Sequence, residues 1–209
     1  MRSNEHGRSM IEMLGVLAIV GVLSVGGIAG YSRAINKYKI NTLTYQLSEL
    51  IISIRTAYFQ QNTFEDISVS TLINSNIAPH NLVSGRDTSS AQLIHAFNGT
   101  ITIFPSLTET HEPKAFEIYI NDIDRKACIT IASFDWSQDI TSGFLGLYIG
   151  TIPVNNAKML EVTTSSPSKP ENGIYTPGQH SLSVPISVAE AYAACSCSGA
   201  TCSIGLKYM

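Results

Sequence analysis

Histidine, serine and lysine are common catalytic residues, and none of them forms a recognisable catalytic set in this sequence. The histidines are scattered, without an HExxH pair, at His6, His80, His95, His111 and His180. GxSxG, Walker and GxGxxG motifs do not occur, so the turns that expose a nucleophile or cradle a phosphate are not encoded. The SxxK spacing from Ser166 to Lys169 contains Pro167 and is followed by Pro170, which favours a loop. We therefore expect neither an enzyme nor a cofactor.

Metal ligation is the second chemistry to consider. Asn121, Asp122 and Asp124 carry oxygens that suit calcium, but the same residue types cap helices, which is the simpler interpretation. Four cysteines allow two disulfides in three connectivities, or a zinc site. The C-x-C spacing of Cys195 and Cys197 is unlike the CxxC spacing of zinc sites. We expect disulfides and no metal, and disulfides place this part of the chain outside the cytoplasm.

A carboxylate, Glu12, lies at the start of a long apolar run. Residues 13–32 form twenty positions without a charge, about 30 Å as a helix, which matches the hydrocarbon core of a bilayer. An unpaired carboxylate costs about 2.5–3.5 kcal/mol at the centre of a bilayer and less near its surface. Gly26 and Gly30 form a GxxxG pair, which lets helices approach closely. The run is expected to enter a membrane with a charge that needs a partner.

The helical pattern continues after the apolar run ends at Arg33. Apolar residues recur at spacings of mostly three and four, at Ala34, Ile35, Tyr38, Leu43, Leu47, Leu50, Ile51, Ile54, Ala57 and Tyr58. No proline occurs before Pro79. This spacing predicts one helix from about residue 9 to about residue 60, about 78 Å long, apolar all round in its first half and amphipathic in its second. A cleavable signal peptide or a simple anchor would explain the apolar run alone.

These first sixty residues resemble the type IV pilins and the pilin-like subunits of related secretion systems. The resemblance is to a class III leader, a short polar segment that ends in glycine and precedes an apolar helix with glutamate in fifth place. Gly7 would be the residue before the cut, Arg8 the first mature residue and Glu12 the fifth. Arg8 departs from the apolar residue usual in the family. Ala29 stands where many type IVa pilins have proline, as in many type IVb subunits.

The resemblance implies a mechanism of assembly. A prepilin peptidase cuts after Gly7, the new amine is usually methylated, and Glu12 of one subunit meets the amine of its neighbour. A carboxylate in an apolar bundle is tolerable only when paired, which agrees with that role. The alternative is a pair within one helix, because Arg8 and Glu12 are four residues apart and such pairs contribute a few tenths of a kcal/mol. An inner-membrane assembly platform is the further partner implied.

Residues 61–209 are richer in Ser, Thr, Asn, Gly and Pro, with short apolar runs typical of strands and loops. We predict strands at 100–104, 116–120, 143–152 and 202–209. We predict helices at 69–74, at 123–133 with Asn121 and Asp122 as caps, and from the capping box Ser187–Glu190 to Ala194. Residues 62–99 should be mostly a connection, and 153–185 a loop-rich, exposed segment.

This order also resembles a pilin head, an α+β fold in which the long helix packs on an antiparallel sheet. Residues 96–101 are similar to the segment before the first strand of type IVb pilins, with Asn98 and Gly99 able to form a turn of positive φ. Cys128 and a cysteine before the last strand match the type IVb disulfide. We expect Cys128–Cys195 and Cys197–Cys202, and the exchange of Cys195 with Cys197 stays open.

The organisation predicted is a leader (1–7), an apolar helix half (8–32), an amphipathic half (33–60) and a head (61–209). Thirteen basic and sixteen acidic residues give a charge of −3, so we expect no nucleic-acid site. The resemblance implies the structural subunit of a homopolymeric type IV pilus-like filament, held in lipid as a single-pass precursor of the bacterial inner membrane and then displayed as an extracellular pilus (fimbrium). The alternatives are a periplasmic pseudopilin of a type II secretion-like apparatus and a membrane-anchored periplasmic binding domain that does not polymerise.

Overall fold

The computed structural model describes most of the chain, and it divides the chain into two units. The residues described are 6–61, 63–86, 88, 90–108, 112–137, 143–150, 174–175, 184–197 and 201–209. The units are Met1–Asn41 and Thr42–Met209, and helix α1 (His6–Tyr58) contributes to both. The predicted continuous helix is therefore confirmed. The predicted boundaries at residues 7, 32 and 60 stay predictions.

The first unit is helical throughout its described residues and presents apolar side chains on all sides. The most apolar stretch of 18 residues in α1 has a mean hydropathy of 2.2, and none of these residues is buried. Ser24 is a polar residue in the middle of the apolar run, and its Oγ donates a 2.7 Å hydrogen bond to the carbonyl oxygen of Val20, which satisfies the hydroxyl within the helix. Among the described residues, this helix is the one long and apolar enough to cross a membrane.

The second unit contains an antiparallel sheet of seven strands within the described residues, in the order β1-β2-β3-β4-β7-β5-β6. The strands are β1 Val83–Ser84, β2 Gln92–Ile94, β3 Thr100–Ser106, β4 Ala115–Ile123, β5 Phe144–Gly150, β6 Ile174–Tyr175 and β7 Cys202–Tyr208. Every neighbouring pair is antiparallel. Together with α1, this sheet confirms the predicted α+β class.

Residues 42–58 of α1 pack one face of the helix into the core of the second unit. The buried apolar positions follow the predicted spacing of three and four, at Leu43, Leu47, Leu50, Ile51, Ile54 and Tyr58. Gln46, which was not predicted for this face, is also buried, and the prediction for Ala57 was wrong because Ala57 is exposed. Aromatic rings continue this core onto the sheet. Tyr58 stacks on Phe64 at 5.1 Å, and Phe64 lies 4.9 Å from Phe116 of β4. Each fully buried side chain of this size contributes about 1.5–3 kcal/mol.

The described part of the second unit has three shorter helices, and two of them match the predictions closely. Helix α2 (Val69–Asn74) is capped by Ser68, and α4 (Val188–Ala194) begins with the predicted capping box, in which Ser187 and Glu190 bond reciprocally. The prediction for α3 (Arg125–Ala132) was wrong at its start. The cap is Asp124, whose Oδ1 accepts a 2.7 Å hydrogen bond from the backbone N–H of Ala127.

Asn121 and Asp122 do not cap α3, because β4 continues through them. Ile123 still pairs with Cys202 of β7, after a bulge that follows Ile120. Asp122 has a φ of 60°, which bends the strand and leaves the capping position to Asp124. The three residues that could have held calcium are engaged separately. Asn121 Oδ1 accepts from the hydroxyl of Ser203 at 3.2 Å, and Asp122 Oδ1 accepts from that of Thr201 at 3.3 Å.

Three short strands were missed by the sequence analysis. Strands β1 and β2 lie within the predicted connection at 62–99, and β6 lies within the predicted loop at 153–185. A strand of two or three residues is too short to show an alternation of polar and apolar residues. Most of the 153–185 segment, including Ser166 and Lys169, lies outside the described residues, as do His111 and His180.

The turn before β3 is fixed by a buried histidine. His95 Nε2 lies 2.7 Å from the carbonyl oxygen of Asn121, and its Nδ1 accepts a 3.2 Å hydrogen bond from the backbone N–H of Phe97. Burial lowers the pKa of His95, which agrees with a neutral ring that donates from Nε2. Asn98 has a φ of 64°, so the predicted positive-φ turn is made by Asn98. His95 is thus a structural residue.

Gly99→Ala should destabilise the second unit by about 3 kcal/mol. A Cβ at Gly99 would collide with the carbonyl oxygen of Asn121 and lie 2.6 Å from His95 Nε2, and such overpacking costs about 1–3 kcal/mol or more. The measurement is chemical unfolding of the full chain in detergent, followed by the fluorescence of Trp136, the single tryptophan. Asn98→Gly is the control, because it keeps the positive φ and adds no atom. Equal midpoints for Gly99→Ala and the unaltered chain would contradict this account.

The second unit also buries an ion pair that the sequence analysis did not identify. Glu117 of β4 and Lys207 of β7 are 0% and 1% exposed and face each other in the strand register. Lys207 Nζ lies 3.9 Å from Glu117 Oε1 and donates a 2.7 Å hydrogen bond to the carbonyl oxygen of Leu107. Ser106 Oγ donates to Glu117 Oε1 at 2.5 Å, and the Tyr119 hydroxyl donates to Oε2 at 3.1 Å. Burial raises the pKa of Glu117 to about 7, although these partners oppose the rise.

Candidate assembly surface

Glu12 lies in the most apolar part of α1, one helical turn after the predicted cleavage point. The backbone of Gly7 and Arg8 is already helical, while their side chains lie outside the described part of the structure. Glu12 is exposed, and so are its apolar neighbours Ile11 and Met13, at 74% and 65%. The carboxylate therefore lies on an apolar surface, and anything that buries this surface also buries the charge, which costs free energy unless the charge is paired.

The apolar side chains around Glu12 are exposed along the helix. They are Met10, Ile11, Met13, Leu14, Val16, Leu17, Ile19, Val20, Val22, Leu23, Val25 and Ile28. A continuous apolar surface of this kind is typical of a membrane or of a protein interface. Lipid and other apolar helices can cover it equally well, because the hydrophobic effect does not distinguish hydrocarbon chains from leucine side chains.

Gly26 and Gly30, the predicted close-approach pair, leave a clear notch in this surface. Nothing lies within 4 Å of the position that a Cβ would take at either residue. Both residues are on the same face of the helix, four positions apart. A neighbouring helix backbone could approach closely there, and the role of the pair in assembly stays a prediction.

A second exposed stripe, which we call the aromatic stripe, lies opposite the buried face of α1 in the second unit and ends at Phe59, one residue beyond the helix. Tyr45, Ile52 and Phe59 are 66%, 64% and 86% exposed and are spaced seven residues apart. In the sequence, Tyr31 and Tyr38 precede them at the same spacing, and both are exposed. A seven-residue apolar repeat is the spacing that keeps one side of a helix against another helix.

Tyr38 was predicted to lie on the apolar face of the helix, but it is 68% exposed, and the aromatic stripe was not predicted. The signal that could have found it is the exact repeat of seven, since the core residues recur at three and four. Packing on a single sheet requires one apolar face of a helix, and this helix has two. The exposed apolar face is therefore a candidate surface for contact with another chain.

The four cysteines lie beside α3 and α4, and Cys128, Cys195 and Cys202 are buried while Cys197 is half-buried. The structure joins Cys128 to Cys195 and Cys197 to Cys202, which is one of the pairings left open above. The first bond ties α3 to the end of α4 across 67 residues of sequence, and the second closes a loop of five. A cross-link of the longer span stabilises the fold by about 4 kcal/mol in the chain-entropy account.

The comparisons with known proteins agree with this architecture. A family model described as PilS N terminal matches residues 37–204. The type IV pilin TcpA of Vibrio cholerae El Tor biotype is similar with a TM-score of 0.51 and 12% identity, over 82% of this chain and 99% of that one. The type IVb pilin of Salmonella typhi aligns with a TM-score of 0.49 and 17% identity, over 79% of this chain and 98% of that one. No curated protein matches.

The likeness to TcpA concerns the fold, because the identity is low, and it confirms the predicted pilin architecture. The family model goes further, since the residues that it matches are most of the chain and include strands β1 to β6, the start of β7, the helices α2, α3 and α4, and all four cysteines. The chain therefore belongs to the PilS family of type IV pilins, which are structural proteins and not enzymes.

Proposed function

We propose that this pilin is made as a membrane precursor, is cut after Gly7 by a prepilin peptidase, and then assembles with other copies of itself into an extracellular filament. The observation that carries the proposal is the exposed apolar surface of α1 with Glu12 at its start. Lipid covers this surface before assembly. Other α1 helices cover it afterwards, so the exchange costs little hydrophobic free energy.

We propose that Glu12 makes the replacement of lipid by other α1 helices favourable. A carboxylate that is buried in a bundle of apolar helices is stabilised when a cation of a neighbouring chain lies beside it. The new N-terminal amine at Arg8 of a neighbouring subunit is the cation proposed. An inner-membrane assembly platform would bring the two together. The precursor thus belongs to the bacterial inner membrane and the product to the cell surface.

Gly7→Leu should leave the leader attached. Peptidases of this type act at a small residue, and a bulky side chain before the cut would block the site. Mass spectrometry of the membrane-bound chain should show all seven leader residues in the variant, and an N-terminus at Arg8 in the unaltered protein. Gly15→Ala is the matched control, since it changes a glycine beyond the cut and should be processed normally. A mature unaltered chain that keeps its first seven residues would contradict the proposal.

Ile52→Glu should reduce the filament yield about tenfold or more, because the aromatic stripe is proposed to face a neighbouring subunit. A carboxylate buried there without a partner costs several kcal/mol, and each 1.4 kcal/mol is a factor of ten in association. Ile52 is 64% exposed in the single chain, so the fold should not change.

Electron microscopy of sheared surface material measures the yield, and Trp136 fluorescence checks the fold. Ile52→Leu is the matched control, since it keeps the surface apolar and should assemble normally. Normal filaments from Ile52→Glu would mean that the stripe faces solvent in the assembled state.

A further inference from the structure

The two disulfides differ in their access to solvent while their sulfurs lie close together. Cys128 and Cys195 are fully buried, and Cys202 is 3% exposed, whereas Cys197 is only half-buried. The Sγ atoms of Cys128, Cys197 and Cys202 all lie within 4.8 Å of one another. We call the Cys128–Cys195 bond the inner bridge and the Cys197–Cys202 bond the outer bridge. The outer bridge therefore lies next to the inner bridge and contains the half-buried cysteine, Cys197.

We propose that the outer bridge is the redox relay through which the inner bridge is oxidised. A dissolved oxidant cannot reach the fully buried sulfurs of Cys128 and Cys195 in the folded protein, whereas Cys197 is only half-buried and is the most accessible of the four cysteines. Thiol–disulfide exchange needs only that a thiolate meet a neighbouring disulfide sulfur. The cluster places both reaction partners in one buried group.

The exchange balances without any further reactant. The Cys128 thiolate attacks Cys202 Sγ, a Cys128–Cys202 bond forms, and the Cys197–Cys202 bond breaks to leave the Cys197 thiolate. The Cys195 thiolate then attacks Cys128 Sγ, which forms the inner bridge and releases the Cys202 thiolate. Two electrons have moved from the inner pair to the outer pair, and the two protons of the inner thiols end on Cys197 and Cys202. A small disulfide such as oxidised glutathione then restores the outer bridge through Cys197.

The order of these events follows from chain entropy and solvation. The cysteines of the outer bridge are five residues apart, and those of the inner bridge are 67 apart. In the reduced chain before it folds, loop-closure entropy therefore favours the encounter of Cys197 with Cys202 over that of Cys128 with Cys195 by about fifty-fold. Attack at Cys202 is favoured over attack at Cys197 because the leaving thiolate is then the half-exposed one, which water stabilises. The outer bridge forms first and passes its oxidation inward.

Oxidation of the reduced full chain in detergent tests the relay. The probe is oxidised glutathione, and the rate of inner-bridge formation is read by thiol alkylation and mass spectrometry. In Cys197→Ser/Cys202→Ser the inner bridge should form at least tenfold more slowly than in the unaltered chain. In Cys128→Ser/Cys195→Ser, the matched control, the outer bridge should form at its normal rate. An inner bridge that forms equally fast without Cys197 and Cys202 would overturn the proposal.

A trapping variant tests the intermediate independently of that rate. In Cys195→Ala the second step is impossible, so a Cys128–Cys202 bond with a free Cys197 should accumulate during oxidation. Trp136 fluorescence establishes that the variant is folded before the bonds are mapped. A folded variant in which Cys128 stays a free thiol at every time point would also overturn the relay.

Discussion

Chains that carry Glu12→Gln are expected to insert into the membrane in normal amounts and to form no filaments. Glutamine has the shape of glutamate without its charge, so the apolar surface of α1 is unchanged. A buried amine of the neighbouring subunit would lose its partner, and breaking a buried pair in this way costs about 3–5 kcal/mol. That loss lowers the association of each subunit by more than a hundredfold. An immunoblot of the membrane fraction and electron microscopy of sheared surface material measure the two expectations.

Arg8→Gln distinguishes the two possible partners of Glu12. If Arg8 on the same helix were the partner, this variant would assemble as poorly as Glu12→Gln. If the partner is the N-terminal amine of a neighbour, Arg8→Gln keeps that amine and should assemble almost normally. Filaments of ordinary number and length from Glu12→Gln would remove the basis of the proposed mechanism.

Lys207→Met should lower the free energy of unfolding at pH 8 by about 3–5 kcal/mol. The methionine fills the space of the lysine stem but leaves the Glu117 carboxylate buried without its cation. The denaturant midpoint of the full chain in detergent, read from Trp136, measures the change. Lys126→Met is the matched control, because Lys126 is exposed and surface changes are usually within about 0.5 kcal/mol.

The pair also has a pH signature that a merely structural change would lack. The folded-state pKa of Glu117 is raised from 4.5 to about 7, so between these values the folded state holds a proton that the unfolded state has lost. Stability from this group is complete below pH 4.5 and is lost as the pH rises through 7. Glu117→Gln should remove this fall, which is about 3 kcal/mol. An unaltered chain and a Glu117→Gln chain with parallel pH profiles would contradict the assignment.

The long helix could be predicted from sequence because its signals are numerous and local. The twenty charge-free residues, the absence of proline before Pro79 and the regular spacing to Tyr58 all indicate one element. Ser187 and Glu190 were equally informative, since a capping box requires only four residues of sequence. The helix and the capping box both depend on residues that are close in sequence, and the structure contains both at the predicted positions.

The features that could not be predicted depend on residues far apart in sequence. Glu117 and Lys207 are ninety positions apart, and only the pairing of β4 with β7 makes them one buried group. Asn121 and Asp122 have the chemistry of helix caps, but the pairing of Ile123 with Cys202 keeps them in the strand. The aromatic stripe was missed for another reason. Its residues alternate along the sequence with the more numerous core residues, whose spacing of three and four dominates the pattern.

The position of β7 has a consequence for how the protein is made. This strand follows all the others in chain order, yet it lies between β4 and β5 in the sheet. Until it has been made and joins the sheet, β4 and β5 are two separate edges that expose unpaired backbone groups. The apolar start of α1 can enter lipid long before that moment. The second unit therefore stays incomplete and exposes strand edges until its last strand in chain order is inserted between two strands made earlier.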